Sequence, residues 1–179
     1  STFCQHDNAD ITVMGDIVFT DQITISGRTV SIASTTGSVL TSDRSFSASS
    51  GGMLLIIENS TVSISGLHFV SGSAASNGGC LSGSNSTLAV VDSSFTSCTA
   101  DNDGGGAYWL RTDTAFTNTT FTDCSASNSG GGVAIENSDG VHFNDCSFES
   151  CSATYGGGAF VYYSDDVDFK DALFSSCSY

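Results

Sequence analysis

Proline is absent from this sequence and basic side chains nearly so: only Arg28, Arg44, Arg111 and Lys170 stand against 19 acidic residues, for a formal charge of −15. Such a chain repels a phosphate backbone and an anionic bilayer surface, which excludes nucleic acid as a partner. Long apolar runs are also missing. The longest, Met53 to Ile57, falls far short of the roughly 20 residues that span a bilayer, so membrane insertion is not expected. No Cys-x-x-Cys occurs, which removes the usual structural zinc site. No stretch carries a helical hydrophobic period.

What is present is turn chemistry and a modest apolar content. Twenty glycines and abundant Ser, Thr, Asn and Asp accompany an apolar fraction of 39%, which suits one domain of short strands and many turns. Seven cysteines and three sequons, at Asn59, Asn85 and Asn118, favour a secreted, glycosylated protein in an oxidising setting. The opening at Ser1, without Met or a basic, apolar leader, fits a mature chain whose signal peptide has been removed.

A repeat organises the chain. One phenylalanine per unit, at Phe69, Phe95, Phe121, Phe148 and Phe174, recurs at spacings of 26, 26, 27 and 26. Five residues earlier stand Ile64, Val90, Phe116, Phe143 and Phe169, and the odd spacing implies a turn between two strands. Three residues after the anchor stand Gly72, Cys98, Cys124, Cys151 and Cys177, and paired glycines then return at Gly78, Gly105, Gly131 and Gly157. A unit of this length with only short strands cannot bury its apolar face alone, so it must stack on its neighbours. The expected fold is all-β, a right-handed parallel β-helix with coils of about 26 residues and about seven coils. Residues 1–179 form a single domain, with irregular N-terminal coils over 1–50 and five regular repeats over 51–179. In the strand after the glycines, Leu55, Ile57, Ala107, Trp109, Val133, Ile135, Ala159 and Val161 should face inward, with Trp109 level with Gly83.

The stretches Gly78-Gly-Cys-Leu81, Gly105-Gly-Ala-Tyr108, Gly131-Gly-Val-Ala134 and Gly157-Gly-Ala-Phe160 carry a resemblance, together with Phe95-Thr-Ser-Cys98 and its equivalents at Phe121, Phe148 and Phe174. Over about residues 51–179 the chain resembles the repeats of the chlamydial polymorphic outer membrane proteins, with cysteine where that family has asparagine, and more broadly the pectin-lyase-like β-helices. The resemblance implies an extracellular or surface-displayed β-helix used for adhesion or structure, and transfers no catalytic residue.

Candidate sites follow from the columns. Cys98, Cys124, Cys151 and Cys177 should stack at parallel-strand spacing, and two readings stay open: disulfides Cys98–Cys124 and Cys151–Cys177, or a ladder of buried thiols. Cys146 lies in another column, Cys80 replaces a turn glycine, and Cys4 is remote, so their partners are not readable. In the column Asp92, Asn118, Asp145, Asp171, the carboxylates of Asp92, Asp145 and Asp171 are either solvated or gathered around calcium, and no other cofactor is expected. Asp139, Asp165, Asp166 and Asp168 read as a solvated face.

No carboxylate pair is marked for glycosidase chemistry, the basic residues are too scattered for a lyase, and His6, His68 and His142 fall in separate coils, so an enzyme is not expected. An ice-binding threonine ladder is broken by Glu149 in the column Val70, Thr96, Thr122, Glu149, Ser175. The last unit, through Val167, Phe169, Phe174 and Tyr179, presents an assembly end. The expected function is therefore an extracellular filament subunit joining copies of itself head-to-tail. The alternatives are a surface adhesin or carbohydrate-binding β-helix using exposed aromatic residues such as Tyr108, Tyr162 and His68, and, behind it, a polysaccharide-degrading enzyme.

Overall fold

The computed structural model describes residues 8–19, 22–42 and 55–179, so the positions of Cys4, His6 and Arg44 lie outside the described residues. Within them the chain is a parallel β-solenoid without a helix. One face stacks six strands, Ile23–Ser26, Leu55–Glu58, Leu81–Ser84, Ala107–Leu110, Val133–Glu136 and Ala159–Tyr162. The winding is thus about six turns, one fewer than the repeat count suggests. The reason is at the irregular N-terminal end, where Asn8–Thr12 and Ile17–Phe19 both pair with a single long strand, Thr29–Ser42.

A second face holds the strands beginning at Thr61, Thr87, Asp113, Val141 and Val167, and a third holds those centred on Phe69, Phe95, Phe121, Phe148 and Phe174. Thr61–Val70 runs unbroken through the corner between these two faces, which joins them into one 12-stranded sheet. A short fourth edge is made by Ser73–Ala74, Thr99–Ala100 and Ser125–Ala126.

The register follows the sequence columns. Phe69, Phe95, Phe121, Phe148 and Phe174 are partners in successive coils, with ring centroids 4.6–4.8 Å apart. Coils repeat at the spacing of paired strands, which is close to the thickness favoured by offset aromatic stacking, so one residue type satisfies both. A second stack, Phe116, Phe143 and Phe169, meets the first edge-on, as in the Phe116–Phe121 contact at 5.5 Å. Each ring buried in this core contributes roughly 1.5–3 kcal/mol. The strand after the glycines also points inward as expected: Leu55, Ile57, Ala107, Trp109, Val133 and Ile135 are buried, and Ala159 and Val161 pack partly buried against them.

Candidate functional site

Each regular coil turns on residues with left-handed backbone. Asn59, Asn85, Arg111, Asn137 and Tyr163 share one corner with φ of 48–52°. Asp92, Asn118, Asp145 and Asp171 share the next, and Ser71, Ser97, Asp123, Ser150 and Ser176 the third, while glycine fills a fourth at Gly78, Gly104, Gly130 and Gly156. Asn and Asp tolerate this conformation better than other side-chain-bearing residues because their short polar groups bond locally.

Behind the corner residue a small polar side chain turns inward. Ser60, Ser86 and Ser138 donate to the carbonyl two residues earlier at 2.7–2.9 Å, and Thr119 does so at 3.0 Å at the next corner. Each of these carbonyls also accepts a backbone N–H from the coil before, at 3.0–3.1 Å, so the hydroxyl occupies its second lone pair.

This geometry decides the acidic column. Asp92, Asn118, Asp145 and Asp171 are exposed corner residues, and the Nδ2 of Asn118 donates to Oδ1 of Asp92 at 2.7 Å. Among the described residues no group of three or more His, Cys, Asp or Glu side chains is placed to hold a metal ion, so Asp92, Asp145 and Asp171 do not form a calcium cage. The sequon asparagines sit at the same kind of corner. Asn59, Asn85 and Asn118 are exposed, and Asn59 and Asn85 stand one coil apart on one edge, flanked by the paired threonines Thr61 and Thr87.

The cysteine column stacks, but not with the expected bonds. Cys98 is joined to Cys80, with Cα atoms 5.6 Å apart and a separation of 18 residues, while Cys124, Cys146, Cys151 and Cys177 are free. The pairings Cys98–Cys124 and Cys151–Cys177 are therefore corrected. Cys80 occupies the column that holds Gly106, Gly132 and Gly158 in later coils, and it reaches across the corner because Gly72, beneath Cys98, has no side chain: a Cβ there would lie 2.6 Å from Sγ of Cys80.

The remaining thiols act as corner donors. Sγ of Cys124 donates to the carbonyls of Phe95 and Thr122, each at 3.5 Å, and Sγ of Cys151 donates to Phe121 at 3.4 Å and to Glu149 at 3.5 Å. The neighbouring thiol of Cys151 and burial hold the Cys124 proton firmly, and burial does the same for Cys146 and Cys177. Cys151 is pulled the other way, chiefly by the hydrogen bond from Cys124.

The other candidates remain apart. His68 contacts Ser94 at 2.7 Å on the third face, whereas His142 pairs with Asp168 at 3.0 Å on the second. Val70, Thr96, Thr122, Glu149 and Ser175 are in register, so the glutamate does interrupt that ladder. At the last coil Phe169 is 39% exposed and Phe174 46%, although their partners in the coil before, Phe143 and Phe148, are fully buried, and Leu173, in register with the half-buried Ser147, is 61% exposed. Val167 is partly buried and Tyr179 fully exposed.

Of the aromatic residues expected at the surface, Tyr108 is buried, because it lies flat along the wall and donates its hydroxyl to Oε2 of Glu136 at 3.0 Å. Its proton is held well above the ordinary tyrosine range, by burial first and by Glu136 second. His68 is half-buried and Tyr162 exposed. Tyr163, 74% exposed, packs against Tyr162 with ring centroids 4.1 Å apart, and the hydroxyl contact with Tyr163 raises the pKa of Tyr162. Sequence columns hold a signal for this pair, since Tyr163 stands where Asn59, Asn85 and Asn137 do.

A family model described as a right handed β-helix region matches residues 11–174. No curated protein matches the chain. A solved structure with the same architecture is that of a Parabacteroides merdae protein named as a candidate glycosyl hydrolase; it is 10% identical over 94% of this chain and 81% of that one, with a TM-score of 0.51. At that identity the likeness is one of fold alone.

Proposed function

The chain belongs to the right-handed β-helix family, and from that premise we propose that it is an extracellular, glycosylated structural rod that joins end to end rather than an enzyme. The observation that carries this reading is the last coil. Phe169 and Phe174 stack in register on Phe143 and Phe148, so the face of each coil is shaped to receive a further coil of the same kind, whether from its own chain or from another.

Toward the N-terminus Ile17 and Val18 are also exposed, on a strand that a neighbour's coil could extend, with the exposed Met14 in the connection before it. Contact between unlike ends is head-to-tail and does not close, so it propagates into a filament. The Cys80–Cys98 disulfide and the exposed sequons at Asn59, Asn85 and Asn118 support an extracellular setting. The Gly-Gly and Phe-x-x-Cys columns support a surface role of the kind that the chlamydial resemblance implies. Negative-stain microscopy of the purified chain is the test: filaments one rod wide are expected, and only dispersed short rods at high concentration overturn the reading.

A second reading, a surface adhesin, is favoured by the exposed pair Tyr162 and Tyr163. Its working surface is a side of the rod, so it does not depend on the ends.

A further inference from the structure

One outward surface of the final two coils differs from the rest of the rod. Phe160, Tyr162 and Tyr163 lie together there, with centroids 6.1 Å apart for Phe160 and Tyr162 and 4.1 Å for the two tyrosines. Tyr162 is 48% exposed, and no core packing accounts for its position, because it projects from the face whose inward residues are Ala159 and Val161. Four carboxylates belong to the same coil and the one before it. Glu136 is the strand partner of Tyr162, Asp165 and Asp166 follow in the turn, and Asp139 accepts the backbone N–H of Asp165 at 3.0 Å. The cation on this corner is Arg111, two coils from Tyr163 in the same left-handed column.

We propose that this surface docks a basic peptide segment of a partner protein, with guanidinium or ammonium groups over the faces of Tyr162 and Tyr163 and held by Asp139, Asp165 and Asp166. Exposed aromatic faces attract cations through their quadrupole, and adjacent carboxylates strengthen the attraction. Charge complementarity also selects the occupant. The four basic residues stand far apart in this sequence and form no cationic segment that a second copy could offer. Anionic partners meet a net charge of −15. The rings stand on the outward side of the terminal strand, so binding is measured with dispersed rods, and either reading can then fail without the other.

The test titrates the full chain with a short oligoarginine peptide by calorimetry at physiological ionic strength. Saturable binding is expected, weakened about tenfold in the double variant Tyr162→Ala/Tyr163→Ala, which leaves the net charge unchanged. Asp165→Asn/Asp166→Asn should weaken it as well, whereas Asp10→Asn/Glu149→Asn, the same charge change on distant surfaces, should not. Thermal melts establish that each variant folds. Equal loss in both acidic double variants reports bulk charge alone and overturns the proposal, as does an unchanged tyrosine variant. Tyrosine-dependent binding of neutral chito-oligosaccharides in place of the peptide also overturns it, by identifying the surface as a glycan platform.

Discussion

The indole of Trp109 fills the space that Gly83 leaves in the coil before it. The two residues are strand partners, and a Cβ on Gly83 would overlap Cζ3 and Cε3 of the ring. Trp109 is the largest fully buried side chain, and its Nε1 has no hydrogen-bond partner. Its place in the core therefore rests on shape, a large ring against a missing side chain.

Gly83→Ala should destabilise the fold by about 1–3 kcal/mol through overpacking. In a chain of this size that lowers the melting temperature by roughly 2–4 °C per kcal/mol. The penalty should shrink in a Trp109→Leu background, because the two residues share one volume. Equal penalties in both backgrounds would show that the strain lies elsewhere.

The disulfide gives a second prediction. Peptide mapping without reduction should recover Cys80 linked to Cys98, with Cys124, Cys146, Cys151 and Cys177 available to alkylation only after unfolding, except for the partly exposed Cys177. Cys80→Ser should cost about 3 kcal/mol, as expected for a closed loop of this length. Recovery of a Cys98–Cys124 peptide would contradict the corner geometry.

A third prediction concerns the acidic corners. Asp145→Asn and Asp145→Gly should leave stability nearly unchanged, whereas Asp145→Val should cost about 1–2 kcal/mol, because the backbone there has φ of 53°. Millimolar calcium should not raise the melting temperature, although a site filled at 100 times its dissociation constant would add about 2.7 kcal/mol. A clear calcium-dependent rise would restore the metal reading of Asp92, Asp145 and Asp171.

These predictions also mark what could be read in advance. The phenylalanine stacks were legible because parallel coils put equal positions over one another, so periodicity in sequence is adjacency in space. The corners were not, since one backbone conformation is met by Asn85, Arg111 and Tyr163 at equivalent positions, and side-chain identity conceals it. Cys80–Cys98 escaped because it links two columns across a corner, whereas column reasoning compares like with like. The acidic column was legible only as two alternatives, because sequence does not show that all four of its residues hold left-handed backbone, which Asp and Asn tolerate. Tyr108 looked exposed by alternation, but its hydroxyl folds down onto Glu136 in the next coil.

Burial of Tyr108, reinforced by its contact with Glu136, makes stability depend on alkaline pH. A tyrosine whose pKa is raised on folding holds its proton more tightly in the native state. The resulting stabilisation is fully present below the unfolded value near 10 and declines as pH rises through and above it. The melting temperature should therefore fall more steeply between pH 9 and 11 in the wild type than in Tyr108→Phe. Parallel curves would show that other groups carry the dependence.

The phenylalanine stack separates folding from assembly. Phe121 is sealed between Phe95 and Phe148, so Phe121→Ala should cost about 3–5 kcal/mol. Phe174 has only Phe148 beneath it and is 46% exposed, so Phe174→Ala should cost the isolated rod much less. If rods join through that coil, the missing ring becomes an interior defect on assembly, and the deferred cost appears there. Phe174→Ala should then leave the thermal melt of dilute protein nearly intact while abolishing filaments in micrographs. Filaments that form as readily from Phe174→Ala as from the wild type would show that the last coil is not the joint.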